Sequence, residues 1–494
     1  MITMQTKFLF YILLSSFFIP CRAQHQDSMV LHIGLQEALE IAASQSLDAI
    51  VYKDQMRMSY WQYRNYKADL RPAITMDGTL PSLNKSLTTY QKSDGSYEFI
   101  PNSALTGNIG LAVSQNIPFT GGKIYLQSQI ERIEQLDGNK KTGWLSVPAA
   151  ITLEQPLITD RPLWWAMKIE PERYREAQQQ FAVNMEIVSI KTIQYYFDLL
   201  LAMVNRNIAE QNLKNATQLF DIASGKKHLG LISDNDLQQL KLGKLNASAS
   251  VITARQNYDA SMFALRNYLG FNDRVIIEAS MPPEAPNIPI TLAEVVERAH
   301  ENNPITHNSY RRRLEAQQAI AQARANRGFQ ANVYVSVGFT GSAATFAPSY
   351  ENLQNRQVIS LGVRIPILDW GKGKGRIQLA KSQAEVVKTR IEQENLDFEQ
   401  NIVLAVQEYL DQQRLTSIYR EANEVAQHRY KTAFETFVIG KINVIDINTA
   451  QSEEDNAKRN YINQLYSSWL CYYNLRHITL FDFETRSNIT YTLF

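Results

Sequence analysis

Hydrophobic and polar positions follow two rhythms along this chain. In six stretches the period is two. Ile74, Met76, Gly78 and Leu80 alternate with more polar neighbours. So do Ile109, Leu111 and Val113, running towards Ile117, then Ile124, Leu126, Ser128 and Ile130, then Leu145, Val147, Ala149, Ile151 and Leu153. Later, Val333, Val335, Val337 and Phe339 repeat the pattern, followed by Ile359, Leu361, Val363 and Ile365. These predict half-buried strands, four in the first half of the chain and two in the second. Pro118-Phe119-Thr120-Gly121-Gly122 predicts a tight hairpin turn. Polar stretches from Asn84 to Asn102, Gln135 to Thr142 and Thr340 to Gln354 are expected to be solvent loops.

Elsewhere the period is helical. Residues 34 to about 70 carry a stripe of Leu39, Ala42, Leu47, Ile50 and Val51, ended at Leu70-Arg71-Pro72. A long helix is predicted from Pro171 to about Lys226, with Ile190, Ile193, Phe197 and Leu200 on one face. A returning helix spans about Asp234 to Leu269, closed by Gly270. After the proline-rich Met281 to Pro289, helix resumes at Ile290 and runs to about Asn326, with a break at Pro304. A second long helix covers about Ile377 to Thr436 and has Ile391, Phe398, Ile402, Val406 and Tyr409 on one face. Its return helix carries Ala450, Ala457, Tyr461, Leu465, Tyr472 and Leu475.

Both long helices turn back through similar sequences. Leu229-Gly230-Leu231-Ile232-Ser233 is followed by Asp236, and Ile439-Gly440-Lys441-Ile442-Asn443 by Asp446. Gly230 and Gly440 are read as left-handed stops of one helix. Ser233 and Asn443 are read as N-caps of the next. Asp236 and Asp446, three residues on, suit a capping box and the positive helix start.

The chain is therefore duplicated. Ile33-Gly34-Leu35-Gln36-Glu37-Ala38-Leu39-Glu40-Ile41-Ala42 matches Ile290-Thr291-Leu292-Ala293-Glu294-Val295-Val296-Glu297-Arg298-Ala299, with Leu, Glu, Glu and Ala in register. Gln155-Pro156-Leu157 has a looser counterpart in Ile365-Pro366-Ile367. The expected organisation is a leader at 1–23, a first repeat at 24–280, a linker at 281–289, a second repeat at 290–480 and a tail at 481–494.

Composition narrows the class. The chain has 494 residues and a formal net charge of +1, which gives no reason to expect nucleic acid. Lys7, the apolar run Phe8 to Pro20, and Cys21-Arg22-Ala23 resemble a secretory signal cleaved before Gln24; lipidation at Cys21 is the alternative. If Cys21 is removed, Cys471 alone remains and is expected to be buried and inert. No later run of about 18 apolar residues suggests a transmembrane helix. Gly371-Lys372-Gly373-Lys374-Gly375 lacks the spacing of a phosphate loop and reads as a flexible basic join. The seven histidines lack ligand spacing, and no nucleophile elbow is present, so neither metal nor cofactor nor enzymatic activity is expected. Trp164, Trp165 and Trp370 sit at the joins of strand and helix, where membrane-interface and packing roles both remain open.

Two quantities point to a duct. A helix of about 60 residues is roughly 90 Å long, which no compact domain needs. About six strands cannot close a membrane barrel, which starts at about eight. An open sheet in lipid would leave edge groups unpaired, so the strands must be shared between chains. Three chains would supply about eighteen.

The order of elements in each half, the duplicated opening and the paired glycine turns resemble the TolC family of outer-membrane efflux proteins, over nearly the whole chain. The resemblance implies a mainly α fold with a β-barrel part: a trimeric transmembrane barrel shared between chains above a long periplasmic helical coiled-coil barrel. It implies an exit duct for small molecules or exported polypeptide. The partners it implies are a homotrimer, a periplasmic adaptor, an inner-membrane transporter of the RND or ABC class, and outer-membrane lipid. It places adaptor docking at Leu229, Gly230, Leu231, Ile232, Ser233, Ile439, Gly440 and Lys441. The family's acidic pore ring has no match before Gly440; Glu424 and Glu435 read as solvated helix faces. A surface adhesive coiled coil is the competing reading, but it has no use for duplicated strand pairs.

Overall fold

The computed structural model describes residues 29–137, 140–228, 233–439, 441–442 and 444–491. Two compact units emerge. One comprises Met1–Leu47, Lys191–Glu284 and Tyr419–Tyr466; the other comprises Asp48–Ile190, Ala285–Ile418 and Ser467–Phe494. The expected leader, with Cys21, lies outside the described residues.

The helices repeat in length. The opening pair, α1 (Leu35–Gln45) and α2 (Leu47–Asp69), has 11 and 23 residues. The second-half pair, α5 (Leu292–Asn302) and α6 (Ile305–Ala325), has 11 and 21. The long helices α3 (Pro162–His228) and α7 (Lys372–Val438) have 67 each. Their returns, α4 (Asp234–Tyr268) and α8 (Val444–Thr479), have 35 and 36. The stretch read as helix from 34 to 70 is broken at Ser46, where the backbone becomes extended. The matching break lies at Asn303-Pro304. In α1, Leu35, Ala38, Leu39 and Ala42 are buried, which is one helical face.

The first unit contains a short parallel pair that the alternation does not announce, β1 (Met29–Ile33) with β6 (Val275–Ala279). Five residues are too few for a periodic signal. The pair is tied to α3 by the buried Tyr196, whose hydroxyl donates to the carbonyls of Ser280 at 2.6 Å and Ile33 at 3.1 Å.

The second unit contains one antiparallel sheet in the order β2 (Ala73–Gln91), β3 (Tyr97–Ile117), β4 (Gly122–Gln135), β5 (Lys141–Pro156), β7 (Gln330–Ala343) and β8 (Gln354–Arg364). The six expected strands are all present, and the hairpin turning at Thr120-Gly121-Gly122 lies within the sheet. One loop is corrected. Residues 84–102 are not a solvent loop: β2 and β3 remain paired from Asn84↔Ala104 out to Gln91↔Tyr97. Leu87-Thr88-Thr89-Tyr90 and Tyr97-Glu98-Phe99-Ile100 are β-formers, and their polar neighbours mask the period.

Other boundaries move. α3 begins at Pro162, so Pro171 lies inside it and not at its start. The Gly371–Gly375 join is held, not loose. The Asp369 carboxylate accepts from the backbone N–H groups of Gly371 at 2.9 Å and Gly373 at 2.8 Å, and helix starts at Lys372. Trp370 (φ 52°) and Gly371 (φ 83°) make the bend. Contrary to the sequence reading, α3 includes an 18-residue window apolar enough to span a membrane by length and composition. Of that window, 56% is buried within the chain, as a packed helix requires. The tail after Thr479 forms a small hairpin, β9 (Phe481–Asp482) with β10 (Ser487–Asn488). Burial pushes the Cys471 thiol up to about 11, so the thiol stays protonated and unreactive at neutral pH.

Candidate functional site

The sheet has two chemically opposite faces. Because side chains alternate and the register is known, every residue can be assigned to one face. One face carries Ile74 and Met76 of β2, Ile109, Leu111 and Val113 of β3, and Ile124 and Leu126 of β4. It continues through Ile151 and Leu153 of β5, Val333, Val335 and Val337 of β7, and Ile359, Leu361 and Val363 of β8. Most of these apolar side chains are exposed: Ile74 by 71%, Met76 by 76% and Ile359 by 76%. The opposite face carries Thr75, Asp77, Asn108, Ser114, Gln127, Gln129, Glu154, Asn332, Ser336, Arg356 and Ser360. Thr152 donates to Ser336 across two of its strands at 3.0 Å.

Both edges of the sheet are free. β2 and β8 are exposed along their whole lengths, and among the described residues each lacks a neighbour on one side. An open strand edge of this kind is a template for pairing with another strand.

The two ends of the sheet differ. At one end lie the helical joins. There the Pro118–Gly121 turn packs against Thr159 and Arg161, where a β-carbon on Gly121 would sit 2.9 Å from a Thr159 methyl. Asn116 and Gln115 donate to the carbonyls of Asp69 and Leu70 at 3.0 and 3.1 Å. The opposite end carries the Lys92–Ser96 turn, with Gly95 at φ 84° and the Asp94 carboxylate accepting from Ser96. Of the tryptophans at the joins, Trp165 is buried against Ile169 and Leu314, with Trp164 packed beside it. Trp370 is 89% exposed. Packing thus accounts for the first pair and not for the third.

In the first unit, the described part of the earlier helical turn agrees with the capping reading. The Ser233 hydroxyl accepts from the Asp236 N–H at 3.1 Å, and the Asp236 carboxylate accepts from the Ser233 N–H at 3.3 Å. Lys227 pairs with Asp234 across the turn. Leu229, Gly230, Leu231, Ile232, Gly440 and Asn443 lie outside the described residues. Ile439 is 65% exposed, and the Lys441 N–H donates to the Thr436 carbonyl at 3.1 Å. Glu424 and Glu435 are exposed, as solvated helix faces are.

Sequence reasoning missed a polar layer among the helices of this unit. Asn212 of α3 donates to Asp455 of α8 at 2.8 Å and accepts from Gln451, and Asn215 donates to Tyr430 of α7 at 3.0 Å. Burial pushes the Asp455 carboxyl up, opposed by the Asn212 hydrogen bond. Beside the layer lies a groove of about 730 Å³, bounded by Leu219, Leu240, Ile445 and Asp455. Partners more than 200 residues apart leave no local signal.

Among known proteins, residues 295–488 match the family described as outer membrane efflux protein. No curated protein matches. The fold is shared with solved outer membrane proteins. The Campylobacter jejuni CmeC outer membrane channel is similar at TM-score 0.63 and 15% identity, covering 93% of this chain and 87% of that one. The outer membrane protein VceC from Vibrio cholerae is similar at TM-score 0.62 and 14% identity, covering 90% and 95%. The MtrE outer membrane channel of Neisseria gonorrhoeae, in its open state, is similar at TM-score 0.59 and 13% identity, covering 90% and 88%.

Proposed function

From a chain that resembles the outer membrane efflux family by sequence over residues 295–488 and by fold over nearly its full length, we propose an outer-membrane exit duct. It is a channel and not an enzyme, and its place is the outer membrane. The observation that carries this reading is the sheet: one apolar face, one polar face, and two free edges. An apolar face wide open to water is unstable, and a free edge in lipid leaves backbone groups unsatisfied. Both problems vanish if β2 of one chain pairs with β8 of the next. With six strands each, three chains close a barrel of about eighteen, wide enough for an aqueous lumen lined by the polar face.

The long helices then extend into the periplasm as a coiled-coil conduit, and the chain divides into the two repeats 24–280 and 290–480. Their turns meet an adaptor that links the duct to an inner-membrane transporter. The test is native mass measurement in mild detergent beside single-channel conductance. A conducting trimer is expected; a non-conducting monomer rejects the duct.

The two ends of the sheet set the topology. A thiol-reactive label on intact cells is expected to reach a cysteine placed at Asp94 and not one at Gly121. The reverse pattern would invert the sheet in the membrane.

The tips carry a separate expectation. Gly440 and Gly230 are read as positive-φ positions, where a β-carbon costs about 1 kcal/mol or more. Gly440→Val is expected to abolish export in a cargo or drug-susceptibility assay while the trimer survives on a blot. Normal export by both Gly440→Val and Gly230→Val would reduce these glycines to helix caps. The adhesive reading has no observation in its favour.

A further inference from the structure

The outer half of the β2–β3 hairpin is longer than the sheet that carries it. β2 has 19 residues, whereas β8, the strand at the sheet's opposite edge, has 11. On the other side, β4 ends at Gln135, opposite Ala104, and past the Leu136 N–H bond to the Ser103 carbonyl β3 runs on to Tyr97 with β2 as its only strand partner among the described residues. The sheet therefore bears a two-stranded arm, Asn84–Gln91 with Tyr97–Ala104, that closing the barrel leaves uncovered. Such a ribbon is marginal in water without something against its apolar side.

A bulge sets the side on which that apolar surface lies. Between Thr79 and Ser82 the register shifts, so that Leu80 and Pro81 oppose the single Gly107. Without the extra residue, the side chains beyond it would fall on the lumen face. With it, Leu83 and Leu87 of β2 join Phe99 and Tyr97 of the unbulged β3 on the face that bears Ile74, Met76 and Leu111. All four are exposed, between 64% and 66%. The other face of the arm is mainly polar: Asn84, Ser86, Thr88, Glu98 and Asn102, with Tyr90 and Ile100 among them. The arm's apolar side thus points away from the pore, on the same side as the lipid.

Height selects the occupant. On the lipid face, the row of Arg132 and Glu134 in β4 marks where hydrocarbon gives way to water. From Leu105, opposite Glu134, the arm runs eight residues to Tyr97, roughly 27 Å along the strand, or about 20 Å upright at a barrel's tilt. A phospholipid interface adds only about 5–8 Å per leaflet beyond the hydrocarbon. A headgroup that reaches the aromatic rows must be several sugars tall.

We propose that this arm is a glycolipid-contacting surface. Leu87, Phe99 and Tyr97 lie against the saccharide headgroups of the outer leaflet, and Lys85, on the same side, faces their phosphates. Tyr and Phe rings cover the C–H faces of sugars, with the Tyr hydroxyl left to hydrogen-bond, the pairing that suits a wet apolar surface. The proposal rests on the outer-membrane reading above.

The test uses the full chain with Cys21 and Cys471 changed to Ser, reconstituted in phosphatidylethanolamine–phosphatidylglycerol vesicles with and without lipopolysaccharide. A thiol-linked fluorophore is placed at Thr89→Cys on the arm's apolar side, at Thr88→Cys on its polar side, or at Leu111→Cys within the barrel. The read-out is quenching by aqueous iodide. Loss of quenching at 89 is expected only with lipopolysaccharide, with 88 quenched and 111 shielded in both vesicles. Equal quenching at 89 in both vesicles overturns the proposal while the shielded 111 upholds the barrel. Cross-linking of position 89 between copies overturns it in favour of arm-to-arm packing. Quenching at 111 overturns the membrane reading itself, and this proposal with it.

Discussion

Changing Arg476 to Met is expected to destabilise the second unit by about 3–5 kcal/mol, the cost of stranding a buried charge. Glu186 of α3 is fully buried. Its carboxylate accepts from Arg476 of α8 at 3.1 and 3.3 Å, and from the Tyr491 hydroxyl at 3.0 Å. Arg476 also donates to Asp482 at 3.0 Å, and Tyr472 donates to the same carboxylate at 2.8 Å. One guanidinium thus neutralises two acids and holds the tail hairpin to α3 and α8. Without it, Glu186 has only a phenol, and Asp482 loses its cation. The expected readings are a lowered thermal midpoint and faster proteolysis of the tail after Thr479. An unchanged midpoint would mean that water, not protein, solvates Glu186.

The same cluster sets a pH dependence. Burial pushes the Asp482 carboxyl up, but the Tyr472 hydroxyl, the Arg476 charge and two backbone N–H groups outweigh it, so the group sits below the usual carboxylate range. A depressed folded value means that the stabilisation is fully present above the unfolded pKa, about 3.9, and is lost as the pH falls through the folded value. The tail of the unaltered protein is therefore expected to loosen only in strong acid and to keep this contribution through neutral and alkaline pH.

How much of this was legible in the sequence follows from the range of each interaction. Strands such as Val333–Phe339 announce themselves because apolar residues recur at every second position, on one face of the sheet. The long helices were legible for the same reason at a different period. The Asn84–Asn102 arm was not, because its polar residues fill both faces' gaps and the bulge at Leu80-Pro81 breaks the phase. The start of α3 was misplaced because a proline at a first turn is common, and Pro171 offered itself nine residues after the real start at Pro162. The Glu186–Tyr491 bond and the Asn212–Asp455 layer join residues hundreds apart, so only the folded chain brings them together. The helix-to-helix turns were read from their glycines, and of that reading the described residues show the capping of α4 by Ser233.

Substituting Lys for Ile359 is expected to prevent membrane insertion, whereas Lys at the next residue, Ser360, is expected to be tolerated. Both residues lie mid-strand in β8, and both are exposed in the single chain, so burial within the fold does not separate them. Their cross-strand partners do. Ile359 pairs with Val335 on the apolar face, next to Leu153. Ser360 pairs with Tyr334 on the polar face, in line with Glu154. A cation at the midplane of the lipid face costs about 2–4 kcal/mol in each copy, and a lumen position adds little. In the proposed trimer three copies multiply the penalty, while the helical part of the chain is untouched. The measurement is the share of protein recovered in the outer-membrane fraction as a heat-modifiable oligomer. Loss with Ile359→Lys and retention with Ser360→Lys is the expected pair. If both variants insert equally, the apolar face does not meet lipid. If Ser360→Lys alone fails, the sheet faces the opposite way, and its polar side is not the lumen.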